Sequence, residues 1–184
     1  MRLPRIICTQ VIIRVIISQW GKADSSKASS EVLTVLDWAQ EAGMMTGLVS
    51  TARVTHATPA ALYAKSANRD WECDTISPEG VEDITRQLVE SERGRNISLV
   101  FGGGRASFTP TNNISHISRD TLETFNCSRR DNVDMVARWQ SLHPGQNNLK
   151  RHIESVHEKV KQGGSLLALS PTCCEWIPAR RTVC

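Results

Sequence analysis

Three polar side chains suited to binding a phosphate and a metal ion lie close together in the middle of the sequence. His56, Thr58 and Arg69 follow an apolar run at 46–51 that predicts a buried strand. A hydroxyl is an oxygen ligand for a hard cation, and a guanidinium offers a planar set of donors to an anionic oxygen group. Ligands of open α/β sheets bind outside the carboxyl ends of the strands, which is where these residues are expected.

Each of these residues also has a purely structural interpretation. Thr58 precedes Pro59, so it could be the N-cap of a helix that continues over 60–67. His56 could be an ordinary loop histidine. Arg69 follows the end of that helix, where the helix dipole favours any cation. The spacing by itself leaves both interpretations open.

The rest of the pattern predicts helices alternating with strands. An amphipathic helix is predicted over 30–43, with Ser30 as its cap and Gly43 as its stop. Its predicted apolar stripe consists of Val32, Val35, Leu36 and Ala39. A second helix is predicted to start at Ser77-Pro78 and end at 93–94, a strand over 96–101, a tight glycine turn over 102–104, and a last helix over 131–140. Such alternation favours a parallel sheet with crossover helices.

Several short motifs stand in the order found in alkaline phosphatases, and the chain most resembles the animal and insect enzymes. The motifs are T-G-L-V at 46–49, R-V-T-H-A-T-P-A at 53–60, A-N-R-D-W at 67–71 and F-G-G-G-R at 101–105. The resemblance implies an α/β fold with an incomplete parallel sheet. It predicts three parts: a non-matching segment 1–29, a partial alkaline-phosphatase-like domain 30–140, and a non-matching tail 141–184.

The same resemblance implies roles for the three polar residues. Thr58 matches the hydroxyl ligand of the family's magnesium site, and His56 matches a residue beside that site. Arg69 matches the arginine that binds the substrate phosphate. The family hydrolyses phosphate monoesters as a homodimer, using zinc, magnesium and a serine nucleophile in a D-S-A motif.

The nucleophile and the zinc ligands have no match in this sequence. The D-S-S at 24–26 has serine in the third position and lacks the surrounding family pattern. We therefore expect a fragment of an alkaline phosphatase that is inactive alone. The alternatives are a noncatalytic module that binds phosphate or a protein, and a nucleic-acid binder using a zinc-finger-like helix over 147–161. That helix carries His152 and His157 without the cysteine pair that a structural zinc site needs.

Charge and cysteine usage constrain the function only weakly. The formal net charge is +3, so no nucleic-acid partner is expected. The six cysteines show no metal-ligand spacing, and Cys127 is alone and misplaced as a zinc ligand ahead of His152 and His157. The family implies an extracellular or membrane-anchored location. The apolar run at 6–18 contains Arg14, so it makes a poor signal peptide.

Three glycosylation sequons occur, at Asn96, Asn113 and Asn126. Asn113 lies in a polar loop and is the best predicted acceptor. Asn96 is predicted to begin a strand, which would make it a poor one.

Overall fold

A three-stranded parallel sheet organises the part of the chain that the structure describes. The strands are β1 (Gly47–Arg53), β2 (Leu99–Gly103) and β3 (Leu166–Leu169), and β2 lies in the centre. Both strand pairs are parallel. The predicted α/β class with an incomplete parallel sheet is therefore confirmed. The computed structural model describes residues 31–110, 127–143 and 166–169.

Short helices cover this sheet and connect its strands. They are α1 (Val35–Glu41), α2 (Ala57–Ala60), α3 (Ile84–Glu90), α4 (Glu92–Arg95), a 3₁₀ turn (Arg105–Phe108) and α5 (Met135–Leu142). A parallel pair needs a long crossover, which α2, α3 and α4 supply between β1 and β2. The core side chains come from strands and helices alike: Leu48, Val54, Tyr63, Ile84, Leu88, Val100, Phe108, Met135 and Trp139.

The first helix begins later than predicted. Thr34, not Ser30, is the N-cap of α1, and it forms a capping box with Asp37. The segment 31–34 is not helical, so Val32 is 44% exposed instead of facing the core. Of the predicted apolar stripe, Leu36 is fully buried. Gly43 does end the helix region, with a φ of 68°.

The helix predicted over 60–67 is wrong, and so is the Thr58 cap. The helix is the single turn α2, and its N-cap position is occupied by His56. The amides of residues 61–64 still donate to carbonyls three or four residues earlier, but the Lys65 amide donates to Gln87 Oε1 at 2.7 Å, so the helix does not continue to residue 67. A side chain distant in sequence thus competes with helical hydrogen bonds.

The long helix predicted from Ser77 is two short helices that begin later. Asp83 caps α3 by accepting a hydrogen bond from the Arg86 amide at 2.8 Å. Ser91 then adopts an extended conformation, which ends α3, and its hydroxyl caps α4. The predicted stop at 93–94 falls inside α4.

The remaining boundaries are shifted in the same direction. The strand predicted over 96–101 is observed at 99–103, and the helix predicted over 131–140 at 135–142. The glycine turn is confirmed at Gly104, whose φ is 91°. An added Cβ there would lie 2.9 Å from Arg53 Cβ, so glycine allows the end of β2 to approach the end of β1.

A disulfide between Cys73 and Cys127 joins two distant parts of the chain. Both cysteines are fully buried. The segment after Cys127 is held against the same region, because the amide of Asp131 donates to Asp74 Oδ2 at 2.9 Å. Cysteine spacing could not reveal this pair, because 54 positions separate the two residues.

Several predictions lie outside the described residues. These concern the apolar run at 6–18, the D-S-S at 24–26, the helix over 147–161, and the sequons at Asn113 and Asn126. Within the described ranges, no helix has the length and apolar character needed to cross a bilayer.

Candidate functional site

His56 and Arg69 meet at the carboxyl end of β1. His56 lies in the turn after the strand, and Arg69 lies in the turn that precedes Trp71. Arg69 Nη2 is 3.3 Å from His56 Nε2. An arginine donates and cannot accept, so Nε2 must be the acceptor and the ring proton is on Nδ1. The contact thus fixes the tautomer of the imidazole.

The imidazole of His56 is held in its neutral form. Burial lowers its pKa, and the nearby charges of Arg53 and Arg69 lower it further, while Glu72 partly opposes them. Its Nδ1 atom is buried and has no hydrogen-bond partner among the described residues. A neutral ring is what allows Nε2 to accept from Arg69. The guanidinium of Arg69 is exposed, so its other donors can face a ligand.

A buried carboxylate that sequence analysis missed connects the two turns. Glu72 is 3% exposed and accepts two hydrogen bonds from Arg53, at 3.1 Å from Nε and 2.8 Å from Nη2. The hydroxyl of Thr55 donates to the same carboxylate at 2.5 Å. Arg53 and Thr55 lie just before His56 in the chain, whereas Glu72 follows Arg69. The network therefore sets the distance between the imidazole and the guanidinium.

Helix α3 fixes the turn that carries Glu72. The Ile84 amide donates to the Trp71 carbonyl at 2.9 Å, and the Thr85 hydroxyl donates to the Glu72 carbonyl at 2.7 Å. Trp71, Ile84 and Thr85 are all buried. These contacts span residues distant in sequence, so no local pattern points to Glu72. Its position directly after the N-R-D-W motif is the one available hint.

Thr58 lies apart from this network. It is the second residue of α2 and its side chain is exposed. Magnesium requires several oxygen ligands in near-octahedral geometry, and zinc sites use sets of His, Cys, Asp or Glu. In the described part of the chain, no group of three such residues could hold a metal ion. Thr58 and His56 alone do not form a magnesium site.

Replacing Glu72 by glutamine should destabilise the fold and loosen the site. The amide cannot accept both hydrogen bonds from Arg53 as a carboxylate does, so the ion pair between the buried Glu72 and the partly buried Arg53 is lost. We expect a loss of about 1–3 kcal/mol in the free energy of unfolding, measured by urea denaturation. Glu79→Gln is the matched control, since Glu79 is exposed, and it should change little. An equal effect of the two substitutions would contradict the role of the network.

The sheet and this site define an α/β domain with a histidine–arginine pair at the carboxyl end of a parallel strand. The particular family is also clear. The chain belongs to the alkaline phosphatase family, whose sequence profile, described as "Alkaline phosphatase", matches residues 18–166. The predicted resemblance is thereby confirmed. The family is one of hydrolases, and it implies metal cofactors.

Curated relatives show the same similarity over part of their length. Alkaline phosphatase 4 of Drosophila melanogaster is 44% identical over 119 residues, covering 61% of this chain and 20% of that protein. The tissue-nonspecific alkaline phosphatase isozyme of Rattus norvegicus is 35% identical over 153 residues, which cover 80% of this chain and 27% of that protein. The membrane-bound alkaline phosphatase of Bombyx mori is 32% identical over 147 residues. The chain thus spans between a fifth and a third of the length of these relatives.

Among solved structures, the alkaline phosphatase of the Antarctic bacterium TAB5 is similar at 22% sequence identity. Its superposition has a TM-score of 0.43 and covers 74% of this chain and 30% of that one.

Proposed function

We propose that this chain carries the phosphate-binding part of a phosphate monoester hydrolase, with Arg69 as the group that binds the substrate phosphate. The observation that carries the proposal is the 3.3 Å contact between Arg69 Nη2 and His56 Nε2 at the carboxyl end of β1. An arginine held in this way has lost part of its rotamer freedom before a ligand arrives. Its planar donors suit two oxygens of one phosphate.

The charges around the site have both signs. Glu72 forms a salt bridge with Arg53 at 2.8 Å, and this pair contributes no net charge. Arg69 adds an exposed positive charge beside a neutral imidazole, and the exposed carboxylate of Asp70 lies next to it in the chain. Arg69 would stabilise the negative charge of the phosphate in the ground state and in the transition state. His56 would keep the guanidinium in place.

We further propose that this chain does not hydrolyse phosphate esters by itself. Attack by a serine requires an activating base or metal, and the described residues provide no metal cluster. Thr58 is the residue that we assign to magnesium, as one oxygen ligand of a site that other oxygen ligands must complete. Zinc and magnesium, phosphate monoesters as substrates, and a homodimer remain proposals based on the family.

Arg69→Ala should weaken the binding of inorganic phosphate by about ten- to a hundred-fold, because a charge-assisted hydrogen bond contributes about 1.5–3 kcal/mol. Isothermal titration of the purified chain with phosphate measures this. Arg95→Ala is the matched control, because Arg95 is also exposed and precedes β2, at the opposite end of that strand. Equal phosphate affinities of the wild type and Arg69→Ala would reject the site.

The same preparation tests catalysis. The chain is assayed on a generic phosphate monoester at alkaline pH with zinc and magnesium, and we expect no turnover above the buffer rate. Turnover that disappears in Arg69→Ala would overturn the proposed inactivity and leave the phosphate site intact.

Phosphate binding without hydrolysis fits a noncatalytic module equally well. Binding to nucleic acid that falls steeply with salt would instead favour the alternative of a nucleic-acid binder that uses the helix predicted over 147–161.

An extracellular location is the proposal that the structure supports best. Cys73 and Cys127 form a fully buried disulfide, and disulfides persist in oxidising compartments. A similar protein, that of Bombyx mori, is described as membrane-bound. Fractionation of cells that express the chain, followed by thiol labelling of denatured protein, tests whether Cys73 is oxidised where the chain resides.

A further inference from the structure

We propose that Asn96 carries an N-linked oligosaccharide. The tripeptide Asn96-Ile97-Ser98 satisfies the N-x-S/T rule, with a middle residue other than proline. A strand beginning at Asn96 would have set its side chain within the sheet, but β2 begins at Leu99. Asn96 is instead the C-cap residue of α4, in the turn before the strand. This inference is independent of the phosphate-binding function.

The geometry of the turn leaves the side-chain amide available. Asn96 is exposed. Its backbone N–H donates to the Glu92 carbonyl at 3.1 Å, and its carbonyl accepts from the Thr46 hydroxyl at 3.4 Å. Both contacts use the backbone, so they fix the turn without using the Nδ2 atom. A glycan is bulky and must project into solvent, which this position permits.

The next two residues of the sequon keep the Asn96 side chain directed toward solvent. Ile97 is 1% exposed and belongs to the core. The Ser98 amide donates to the Thr46 carbonyl at 2.9 Å. Because the side chain of Ile97 is packed in the hydrophobic core, the side chain of the neighbouring Asn96 stays at the surface. The oligosaccharide is transferred to the chain before folding, so the burial of Ile97 in the native state does not obstruct the reaction.

A glycan at Asn96 would stand beside an apolar surface. Thr46, which contacts the Asn96 carbonyl, directly follows Met44 and Met45. These two side chains are 55% and 52% exposed. Exposed apolar side chains promote association, and a hydrophilic glycan next to them would reduce it. The modification therefore has a physical role as a cover for this loop.

The chemistry needs a donor of the secretory pathway, and the disulfide indicates that environment. Nδ2 of Asn96 forms a bond to C1 of the first sugar of a lipid-diphosphate-linked oligosaccharide. The bond between C1 and the diphosphate oxygen breaks, and the lipid diphosphate leaves with that electron pair. The displaced amide proton passes to a base of the transferase.

The test is expression of the full chain behind a cleavable leader in insect cells, as wild type, Asn96→Gln, Ser98→Ala and Ser98→Thr. Peptide mass spectrometry after a peptide N-glycosidase reports Asn96 separately from Asn113 and Asn126, because release converts the asparagine to aspartate. We expect Asn96 to be modified in the wild type and in the Ser98→Thr variant. We expect the modification to be absent from the Ser98→Ala variant. An unmodified Asn96 in secreted wild-type protein would overturn the proposal.

Ser98→Thr keeps the proposal testable if Asn96→Gln fails to fold. Retention on a hydrophobic matrix tests the covering role. We expect Ser98→Ala to be retained more strongly than Ser98→Thr. Equal retention would reject the covering role, whereas the mass spectrometry alone decides whether Asn96 is modified.

Discussion

Removing the Cys73–Cys127 disulfide by the paired substitution Cys73→Ala/Cys127→Ala should lower the free energy of unfolding by about 4 kcal/mol. The two residues are 54 positions apart, and closing a loop of that size removes much entropy from the unfolded chain. Both side chains are buried, so alanine avoids leaving a buried hydroxyl without a partner. Because a typical domain is stable by about 5–15 kcal/mol, the loss is a large part of the total.

Denaturant unfolding followed by tryptophan fluorescence measures this difference, because Trp71 and Trp139 are buried. A reducing agent provides the control. The reduced wild type should unfold at the denaturant concentration of the variant, and the midpoint of the variant should not respond to the reductant. If wild type and variant share one midpoint under oxidising conditions, the disulfide does not contribute to stability.

The second large effect is expected at a buried ion pair. Arg129 is 0% exposed and donates to both oxygens of Asp83, at 3.2 and 3.1 Å, and to Asp131 at 2.6 and 3.0 Å. Arg129→Met would leave the carboxylate of Asp83 buried without its counterion, since Asp83 is 2% exposed. Breaking such a pair from one side costs about 3–5 kcal/mol, which we expect as the loss in unfolding free energy.

Two further variants separate this pair from a surface effect. Arg138→Met removes an exposed pair with Glu90 and should cost less than about 1 kcal/mol. Adding Asp83→Asn to Arg129→Met removes the orphaned charge and should recover part of the loss. A double variant as unstable as the sum of the single ones would show that the two residues are not coupled.

The effect of Arg129→Met should also depend on pH. Burial alone would raise the pKa of Asp131, but hydrogen bonds from Arg129 and the Val133 amide outweigh it and the pKa is lowered. A carboxyl with a lowered pKa stabilises the fold above its unfolded pKa, and that contribution is lost as the pH falls through its folded pKa. The gap in stability between wild type and variant should therefore narrow in acid.

Local patterns predicted the class of the fold but not the boundaries of its elements. The apolar run at 46–51 and the alternation around it gave β1 and the parallel sheet correctly. The predicted cap at Ser30 and the helix over 60–67 are wrong, because Thr34 forms a capping box and the Lys65 amide binds Gln87. In each case a specific hydrogen bond overrode a residue preference.

The candidate site was predicted in part. The order of residue types pointed to His56 and Arg69, and the structure brings their side chains to 3.3 Å. Thr58 is exposed in α2, and its role stays a prediction. Glu72 was missed because its partners, Arg53 and Thr55, lie 19 and 17 residues before it, and these separations match no helix or strand period.

The sequence by itself determined the residue types, their order and the family to which they belong. These follow from short motifs of neighbouring residues, such as T-H-A-T-P-A and N-R-D-W, which can be recognised without knowing the fold. Tertiary structure alone decided which distant groups meet: Glu72 with Arg53, Arg129 with Asp83, and Cys73 with Cys127. The physical reason is that a buried charge or thiol is placed by the packing of whole elements, and the contacts that satisfy it have no fixed spacing along the chain.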